Sequence, residues 1–254
     1  MTSTLFDFVD ETWSLADRTL LPVAVGGSLT EGVLLAAYRR GVVVMPADGP
    51  QTREQNRQKF GSAIADGLVT VLEGPDDPFG LTWWFPWPRY ILRPTAVRRQ
   101  RNAEKRARLG EWALTLDSAF VDVVSACSEG RRHVWMNTPY RDAVTSLFHR
   151  GIAHSVEVWQ GDDLVGGTFG VVVGALFVCE SVFNRVDDAG KVAVTGLSSV
   201  LHHSGIQFID WQFHNPLGAT LGIEVVDDRA FAQALVAPSP QIAGIPQFPF
   251  DVSS

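Results

Sequence analysis

The sequence predicts an α+β fold in which a mostly antiparallel sheet is covered by helices. Three apolar segments with alternating character follow one another between residues 153 and 181, separated by short turns. Segments with helical periodicity and clear start and stop residues lie on both sides of them. Of the 254 residues, 46% are apolar and 19% charged, so the chain can bury a large core. This composition excludes a disordered or fibrous protein.

The N-terminal part predicts one helix and one inserted segment. Ser28 and Glu31 have the spacing of a capping box, and Gly41 stands where a left-handed C-cap is expected, which predicts a helix over residues 29–40. Residues 47–80 are rich in Gly, Pro, Gln and acidic residues around one weak apolar patch, and we interpret them as an insertion. The segment WWFPWPRYILRP then predicts short extended stretches, because its three prolines oppose a helix.

The remaining elements follow in the order of the chain. WALTL predicts a strand, and DSAFVDVVSAC predicts a helix with Asp117 as its N-cap. The next helix has Thr138 as cap and Pro139 at its first position, and it ends before Gly151. After the three strands come a helix over 189–203, the strand IQFIDWQF and the short helix RAFAQALV. A β-β-β-α-β order after a helix is typical of α+β folds.

Charge is distributed unevenly along the chain. The net charge of −7 argues against general coating of nucleic acid. Residues 98–108, however, hold six basic side chains and one acidic side chain. Two interpretations stay open at this point: a solvated face, or contacts with phosphates. The nearby Trp83, Trp84 and Trp87 have the same ambiguity, since they are suited either to a core or to stacking on an unpaired base.

Several classes of protein and site are not expected. No apolar run approaches the ~20 residues of a membrane-spanning helix, so we expect no membrane association. The N-terminus lacks a signal peptide pattern and the chain has two cysteines, which together favour a cytosolic protein with no disulfide framework. The six histidines show no ligand spacing, and no phosphate-binding glycine motif occurs. We therefore expect no metal and no cofactor.

Two acidic residues are candidates for chemistry. Asp210 lies in the otherwise apolar strand IQFIDWQF, and at i, i+2 spacing it would share a face with Gln212. Glu180 ends the strand ALFVCES. For both acids the alternative is purely structural, a strand end that caps a loop or faces solvent. The residues alone leave this choice open.

Seven segments together are similar to one family. They are GGSLTEGVLLAAYRRG, WWFPWPR, VWMNTPY, GIAHSVEVWQGDDLVGGTFGV, CESVFNRVDDAGKVAV, IDWQFHN and LGIEVVDDRAF, and they cover most of residues 26–231. The chain resembles the leucyl/phenylalanyl-tRNA–protein transferases. The resemblance implies a small N-terminal domain over 1–97, with the insertion at about 47–80, and a catalytic domain of the GNAT acyltransferase type over 98–254. It also implies a soluble bacterial enzyme, which we expect to be cytoplasmic and monomeric.

The activity implied by this resemblance is aminoacyl transfer. Leucine or phenylalanine would move from aminoacyl-tRNA to the N-terminal Arg or Lys of a protein, which marks that protein for degradation by the N-end rule. Asp210 and Gln212 match the family's catalytic pair, and Glu180 matches a residue that helps to hold the acceptor amine. Asn215 matches the asparagine of the same family motif and would be a further substrate-binding residue. Residues around the aminoacyl-adenosine would be Tyr38, Trp84, Trp135, Val182 and Ile209. Residues that meet the tRNA would be Arg98, Arg99, Arg101, Lys105, Arg106 and Arg108.

The chain also departs from the family's pattern. A Phe-Pro-Trp segment that follows the first helix in the family is replaced here by VVVMPADGP and the insertion, and Trp87 stands where the family has Asp. One alternative is therefore a paralogue that binds aminoacyl-tRNA or protein N-termini without turnover. A second is a GNAT enzyme that uses acyl-CoA, which we disfavour because the pyrophosphate-binding glycine turn is missing after ESVFNR.

Overall fold

The computed structural model describes residues 21–47, 49–98, 105, 111–129 and 136–242. The chain divides into two compact units. The first unit holds the described residues up to Pro88 together with those of the segment Ser128–Ser146. The second holds those of Arg89–Cys127 and from Leu147 onward. The domain boundary at residue 97 that the resemblance implies stays a prediction.

In the part of the chain that the structure describes, the first unit contains a four-stranded sheet, two complete helices and most of a helix that begins at Thr138. The strands are β1 Ala24–Gly26, β2 Val43–Pro46, β3 Thr70–Leu72 and β4 Leu81–Trp84. Their order in the sheet is β2-β4-β1-β3, and β1 and β3 are parallel whereas the other neighbours are antiparallel. The complete helices are α1 Glu31–Tyr38 and α2 Gly49–Ala65.

Helix α1 confirms the first predicted helix but begins two residues later. Its N-cap is Thr30, whose side chain accepts a hydrogen bond from the backbone N–H of Val33 at 3.3 Å. Ser28 is therefore not the cap, and Glu31 instead accepts a hydrogen bond from the Ser146 hydroxyl. Gly41 has φ +69°, the left-handed conformation that its position after the helix predicted.

The segment 47–80 contains a helix that the sequence pattern did not predict. Most side chains of the 17-residue α2 are exposed, and only Phe60 and Ala63 are buried. Phe60 packs edge-on against Trp84 of the same unit, with ring centroids 5.7 Å apart. The weak apolar patch LVTVL supplies β3 at the edge of the sheet. Two anchoring residues in 17 give too little periodicity for recognition as an amphipathic helix.

The second unit is built on a seven-stranded sheet. Its strands are β5 Tyr90–Leu92, β6 Ala113–Leu116, β7 Ala153–Gln160, β8 Asp163–Val173, β9 Leu176–Asn184, β10 Phe208–Gln212 and β11 Glu224–Val225. Their order in the sheet is β11-β5-β10-β9-β8-β7-β6, and all neighbours are antiparallel except β9 and β10, which are parallel. The meander predicted from the sequence corresponds to β7, β8 and β9. The predicted α+β class is confirmed.

Among the described residues, five further helices follow α2 along the chain. Their bounds are α3 Phe120–Ser128, α4 Thr138–His149, α5 Ala189–His203, α6 Pro216–Leu221 and α7 Asp228–Val236. Helix α5, which has the bounds that the sequence predicted, lies against β7, β8 and β9 and buries Val192, Leu197 and Leu201 in the main core cluster. None of the helices in the described residues is long and apolar enough to cross a membrane.

Two predicted helix caps are corrected by the structure. Asn137 rather than Thr138 accepts the hydrogen bond from the Tyr140 N–H, at 3.0 Å. Asp117 does not cap α3, because its carboxylate accepts from the backbone N–H of Ser155 at 2.8 Å and contacts His154 Nδ1 at 2.7 Å. The start of α3 is held instead by a residue distant in sequence, Glu157 of β7.

Glu157 is fully buried and forms a small polar network with the start of α3. Its carboxylate accepts hydrogen bonds from the hydroxyls of Thr115 and Ser155 and from the backbone N–H of Ser118 at 3.3 Å. Thr115 in turn accepts from the indole N–H of Trp159 at 2.8 Å. The network connects β6, β7 and α3 and satisfies a carboxylate that would otherwise be costly to bury.

Candidate active site

Two β-bulges lie on the neighbouring strands β9 and β10. In β10, Asp210 pairs with Ile91 and Gln212 with Tyr90, so Trp211 is an extra residue. In β9, the register against β8 shifts between Cys179 and Ser181, which makes Glu180 the extra residue there. A bulge bends a strand and changes where its side chains point. The i, i+2 spacing of Asp210 and Gln212 therefore does not put them on one face of a regular strand.

The bulges bring the three predicted acceptor-side and catalytic residues into direct contact. The backbone N–H of Gln212 donates to Asp210 Oδ1 at 3.0 Å. Gln212 Nε2 donates to Glu180 Oε1 at 3.1 Å and lies 3.4 Å from the carbonyl oxygen of Cys179. Gln212 has φ +64°, an uncommon conformation for a residue with a side chain. The result is a continuous hydrogen-bonded chain from Asp210 through Gln212 to Glu180.

A buried ion pair lies at one end of this chain. Arg89 Nη1 is 3.2 Å from Asp210 Oδ2, and the two residues are only 2% and 1% exposed. The guanidinium also lies over the ring of Phe231, 4.2 Å from its centroid. Arg89 is the final residue of WWFPWPR, so the segment was recognised from the sequence but the role of its arginine was not.

Burial and charge act in opposite directions on the pair. Burial raises the pKa of Asp210, whereas the Arg89 guanidinium and the Gln212 N–H stabilise the carboxylate and lower it, with burial the larger effect. Burial also lowers the pKa of Arg89, and Asp210 opposes this. Each partner therefore reduces the cost of burying the other.

The neighbouring cysteine is a structural residue. Burial raises the pKa of Cys179 to about 12, so its thiol is protonated at neutral pH and is a poor nucleophile. Both cysteines are buried, as the sequence predicted. In the described residues no group of three or more His, Cys, Asp or Glu side chains lies close enough together to hold a metal ion.

The other predicted residues of the second unit have different surroundings. Ile209 is fully buried in the core cluster, and Val182 is partly buried against that cluster. Asn215 is the N-cap of α6, since its side chain accepts from the Gly218 N–H at 2.7 Å. Its contact with a substrate stays a prediction, and the cap is a structural role that the pattern Asn-Pro also indicates.

The predicted tRNA-binding segment is only partly described. Arg98 is exposed, and its guanidinium donates to the carbonyl oxygen of Ala219 at 3.2 Å, near the C-terminal end of α6. Lys105 is exposed. Arg99, Arg101, Arg106 and Arg108 lie outside the described residues.

Two further residues predicted for the donor side, Tyr38 and Trp84, lie in the first unit. Tyr38 is buried, and its hydroxyl is 3.4 Å from the hydroxyl of Tyr140. Trp84 is partly buried, and its indole N–H donates to the Thr82 hydroxyl at 2.8 Å. Trp135 lies outside the described residues. The roles of these side chains toward an aminoacyl group stay predictions.

Comparisons with known proteins agree on one family. The family model described as leucyl/phenylalanyl-tRNA protein transferase matches residues 91–236. Three proteins named leucyl/phenylalanyl-tRNA–protein transferase are 35%, 33% and 34% identical to this chain, from Stutzerimonas stutzeri, Thiobacillus denitrificans and Methylococcus capsulatus. The matches cover 84%, 89% and 85% of this chain and 83%, 86% and 80% of those proteins, respectively.

A solved structure is similar only at a low level. A conserved protein of unknown function from Bacteroides thetaiotaomicron aligns with 89% of this chain and 95% of its own, at a TM-score of 0.37 and 12% identity. The sequence relatives, by contrast, share about a third of their residues with this chain over most of its length. This chain therefore belongs to the leucyl/phenylalanyl-tRNA–protein transferase family.

Proposed function

We propose that this protein transfers leucine or phenylalanine from aminoacyl-tRNA to the α-amino group of proteins that begin with Arg or Lys. The observation that carries the proposal is the hydrogen-bonded chain of Asp210, Gln212 and Glu180, formed at two adjacent bulges in a member of this family. It combines an amide that can orient an amine with two carboxylates that favour a cationic substrate.

The reaction is the aminolysis of an ester. The nitrogen of the incoming amine attacks the carbonyl carbon of the aminoacyl ester and forms a tetrahedral intermediate. The bond from this carbon to the ribose oxygen of the tRNA then breaks, and the new C–N bond is the peptide bond. The amine must lose a proton before or during the attack, and the leaving ribose oxygen must gain one. The residues at the site therefore have to hold an ammonium group, orient it and accept or relay its proton.

Each residue of the chain has a part in this scheme. Glu180 is partly exposed and would bind the cationic amino terminus. Because Gln212 Nε2 donates to Glu180, its carbonyl oxygen is suited to accept a hydrogen bond from the attacking amine. Asp210 is buried and accepts the backbone N–H of Gln212, which favours an electrostatic role through Gln212 over direct contact with the amine. The proton of the amine would then pass to the partly exposed Glu180.

The second unit supports a GNAT-type acyltransferase architecture. A three-stranded meander is followed by α5 and then by β10, which runs parallel to β9. The two strands are paired only as far as Asp210 and Val178, although β9 continues to Asn184. Parallel strands that lose their pairing leave backbone groups and space for a substrate at their carboxyl ends. The aminoacyl ester would be placed there.

Donor recognition would use apolar packing and phosphate contacts. Tyr38, Trp84, Trp135, Val182 and Ile209 are proposed to surround the aminoacyl-adenosine, and such a pocket discriminates mainly by size, at about 1–3 kcal/mol per methylene. The six basic residues of 98–108 are proposed to meet the tRNA acceptor stem through phosphates and shape. We further propose that the enzyme acts in the cytoplasm as a monomer, uses no cofactor and marks its substrates for degradation by the N-end rule.

The experiment measures transfer of labelled leucine, phenylalanine and methionine from their tRNAs to peptides that begin with Arg, Lys or Ala. We expect leucine or phenylalanine to be transferred to the Arg and Lys peptides and not to the Ala peptide. Transfer of a different amino acid would place the divergence in the donor pocket, where the Phe-Pro-Trp segment is replaced. Binding of tRNA without any transfer would contradict the proposal and favour a paralogue without turnover.

A further inference from the structure

Arg89 is one of the most buried charged residues of the second unit, and the proposed reaction does not otherwise use it. It lies directly before β5, and its carbonyl oxygen accepts the Val226 N–H at 3.1 Å. Its guanidinium contacts both the Asp210 carboxylate, at 3.2 Å, and the Phe231 ring, at 4.2 Å. The ion pair and the cation–π contact together restrict the orientation of the guanidinium.

A buried ion pair of this kind is costly to maintain. The desolvation of two charges offsets much of their attraction, and an apolar pair of similar volume is often at least as stable. Stability alone is therefore a weak reason for an arginine and an aspartate at this place. The contacts of the aspartate suggest a different reason, because its other oxygen accepts a hydrogen bond from Gln212 of the candidate active site.

Asp210 uses its two oxygens for two different partners. Oδ2 faces Arg89, and Oδ1 accepts the N–H of Gln212, which has φ +64°. A left-handed conformation at a residue other than Gly or Asn needs support from its surroundings. If the carboxylate rotated, the Gln212 N–H would lose its acceptor, and the side-chain amide that meets Glu180 would lose its fixed direction.

We infer that Arg89 is a positioning residue for the transfer reaction, which fixes the Asp210 carboxylate so that Gln212 presents its amide toward Glu180 and the acceptor amine. This inference rests on the proposed function. Arg89 touches neither substrate in this scheme, and it acts only through Asp210.

The test compares Arg89→Met and Arg89→Lys with the wild-type chain in the transfer assay. We expect Arg89→Met to lower kcat about 10²-fold, since a misplacement of ~1 Å has an effect of this size. KM for aminoacyl-tRNA and for the Arg peptide should stay within about threefold, because no binding contact is removed. Arg89→Lys, which keeps the charge but not the planar fork, should recover part of kcat.

A matched control is available four residues along the chain. Arg93 also pairs with a carboxylate, Glu224 at 2.7 Å, and also lies over a phenylalanine, Phe208 at 5.0 Å, but it is about half exposed. We expect Arg93→Met to keep wild-type kcat and KM. Circular dichroism of every variant checks that the fold is retained.

A double variant decides whether Arg89 acts through Asp210. If it does, Arg89→Met combined with Asp210→Asn should be no slower than Asp210→Asn alone. The inference would be overturned if the two substitutions lowered kcat independently, so that their factors multiplied in the double variant. A wild-type kcat in Arg89→Met would also overturn it. Should the methionine variant fail to fold, Arg89→Lys decides: a lower kcat with unchanged KM supports the inference, and a wild-type kcat overturns it.

The two proposals fail in different ways. No transfer by the wild-type chain would refute the proposed function and, with it, any role of Arg89 in transfer. Transfer by the wild-type chain that Arg89→Met leaves undiminished would refute the positioning role alone.

Discussion

At the scale of single residues, the position of Asp210 leads to a specific prediction. Asp210 accepts a hydrogen bond from the backbone N–H of Gln212. We expect Asp210→Ala to abolish transfer, by at least about 10³-fold in kcat, because Gln212 loses the acceptor for its N–H. Binding of aminoacyl-tRNA should stay nearly unchanged, since Asp210 contacts no residue of the basic segment that the structure describes.

The measurement combines single-turnover transfer with equilibrium tRNA binding. Asp162→Ala, at an exposed position in the turn between β7 and β8, serves as the control and should transfer at the wild-type rate. An equal loss of transfer and of tRNA binding in Asp210→Ala would contradict the assignment. It would then place Asp210 on the donor side of the reaction.

The motifs around Asp210, Gln212 and Glu180 predict which side chains to consider for the acceptor side, but they do not predict how these side chains contact one another. Contacts that depend on the bulges at Trp211 and Glu180 come from strand registers, and a register is not visible in a single strand's pattern. For the same reason the sequence did not indicate the contact between Arg89 and Asp210, which are 121 positions apart.

At the scale of secondary structure, Glu157 provides a prediction for stability. Its buried carboxylate accepts from two hydroxyls and from the N–H of Ser118 beside α3. In Glu157→Gln an NH₂ group replaces one acceptor and faces donors, so we expect a loss of about 1–3 kcal/mol in the free energy of unfolding. Glu73→Gln, at an exposed position, should change it by less than about 0.5 kcal/mol.

The pH dependence of this loss has a definite sign. Burial raises the pKa of Glu157 in the folded state above its value in the unfolded chain. A group with a raised folded pKa adds stability that is present at low pH and is lost as the pH rises through the folded pKa. The wild-type chain should therefore exceed Glu157→Gln in stability by more near pH 5 than near pH 8. Urea unfolding at both pH values measures this, and a smaller difference at pH 5 would contradict the prediction.

The elements differ in how well the sequence predicted them. Helix α5 has a complete apolar face and was predicted at its observed bounds. Helix α3 was predicted, but the residue that binds the backbone N–H at its start is Glu157 and not Asp117. A local sequence pattern does not indicate this contact, because the two residues are over thirty positions apart. Helix α2 was missed, since only Phe60 and Ala63 are buried. Elements with strong local signals were predictable, whereas those fixed by tertiary contacts were not.

At the scale of the whole molecule, the distribution of charge leads to a prediction about tRNA binding. The chain carries a net charge of −7, so a polyanionic substrate has to be attracted by a local positive segment. Residues 98–108 are the segment with the required excess. Each cation that neutralises a phosphate releases counterions, which makes the affinity depend on salt.

We therefore expect Arg99→Gln combined with Arg101→Gln to weaken tRNA binding and to make its salt dependence shallower. Two lost phosphate contacts should reduce the slope of log K against log salt by about 1–2. Arg93→Gln is the control, because Glu224 at 2.7 Å already compensates that charge, and its slope should equal the wild-type slope. Filter binding between about 50 and 200 mM salt covers the range over which such contacts are measurable. If the double variant has the wild-type slope, the tRNA binds a different surface of the protein. Residues 98–108 would then form a solvated face.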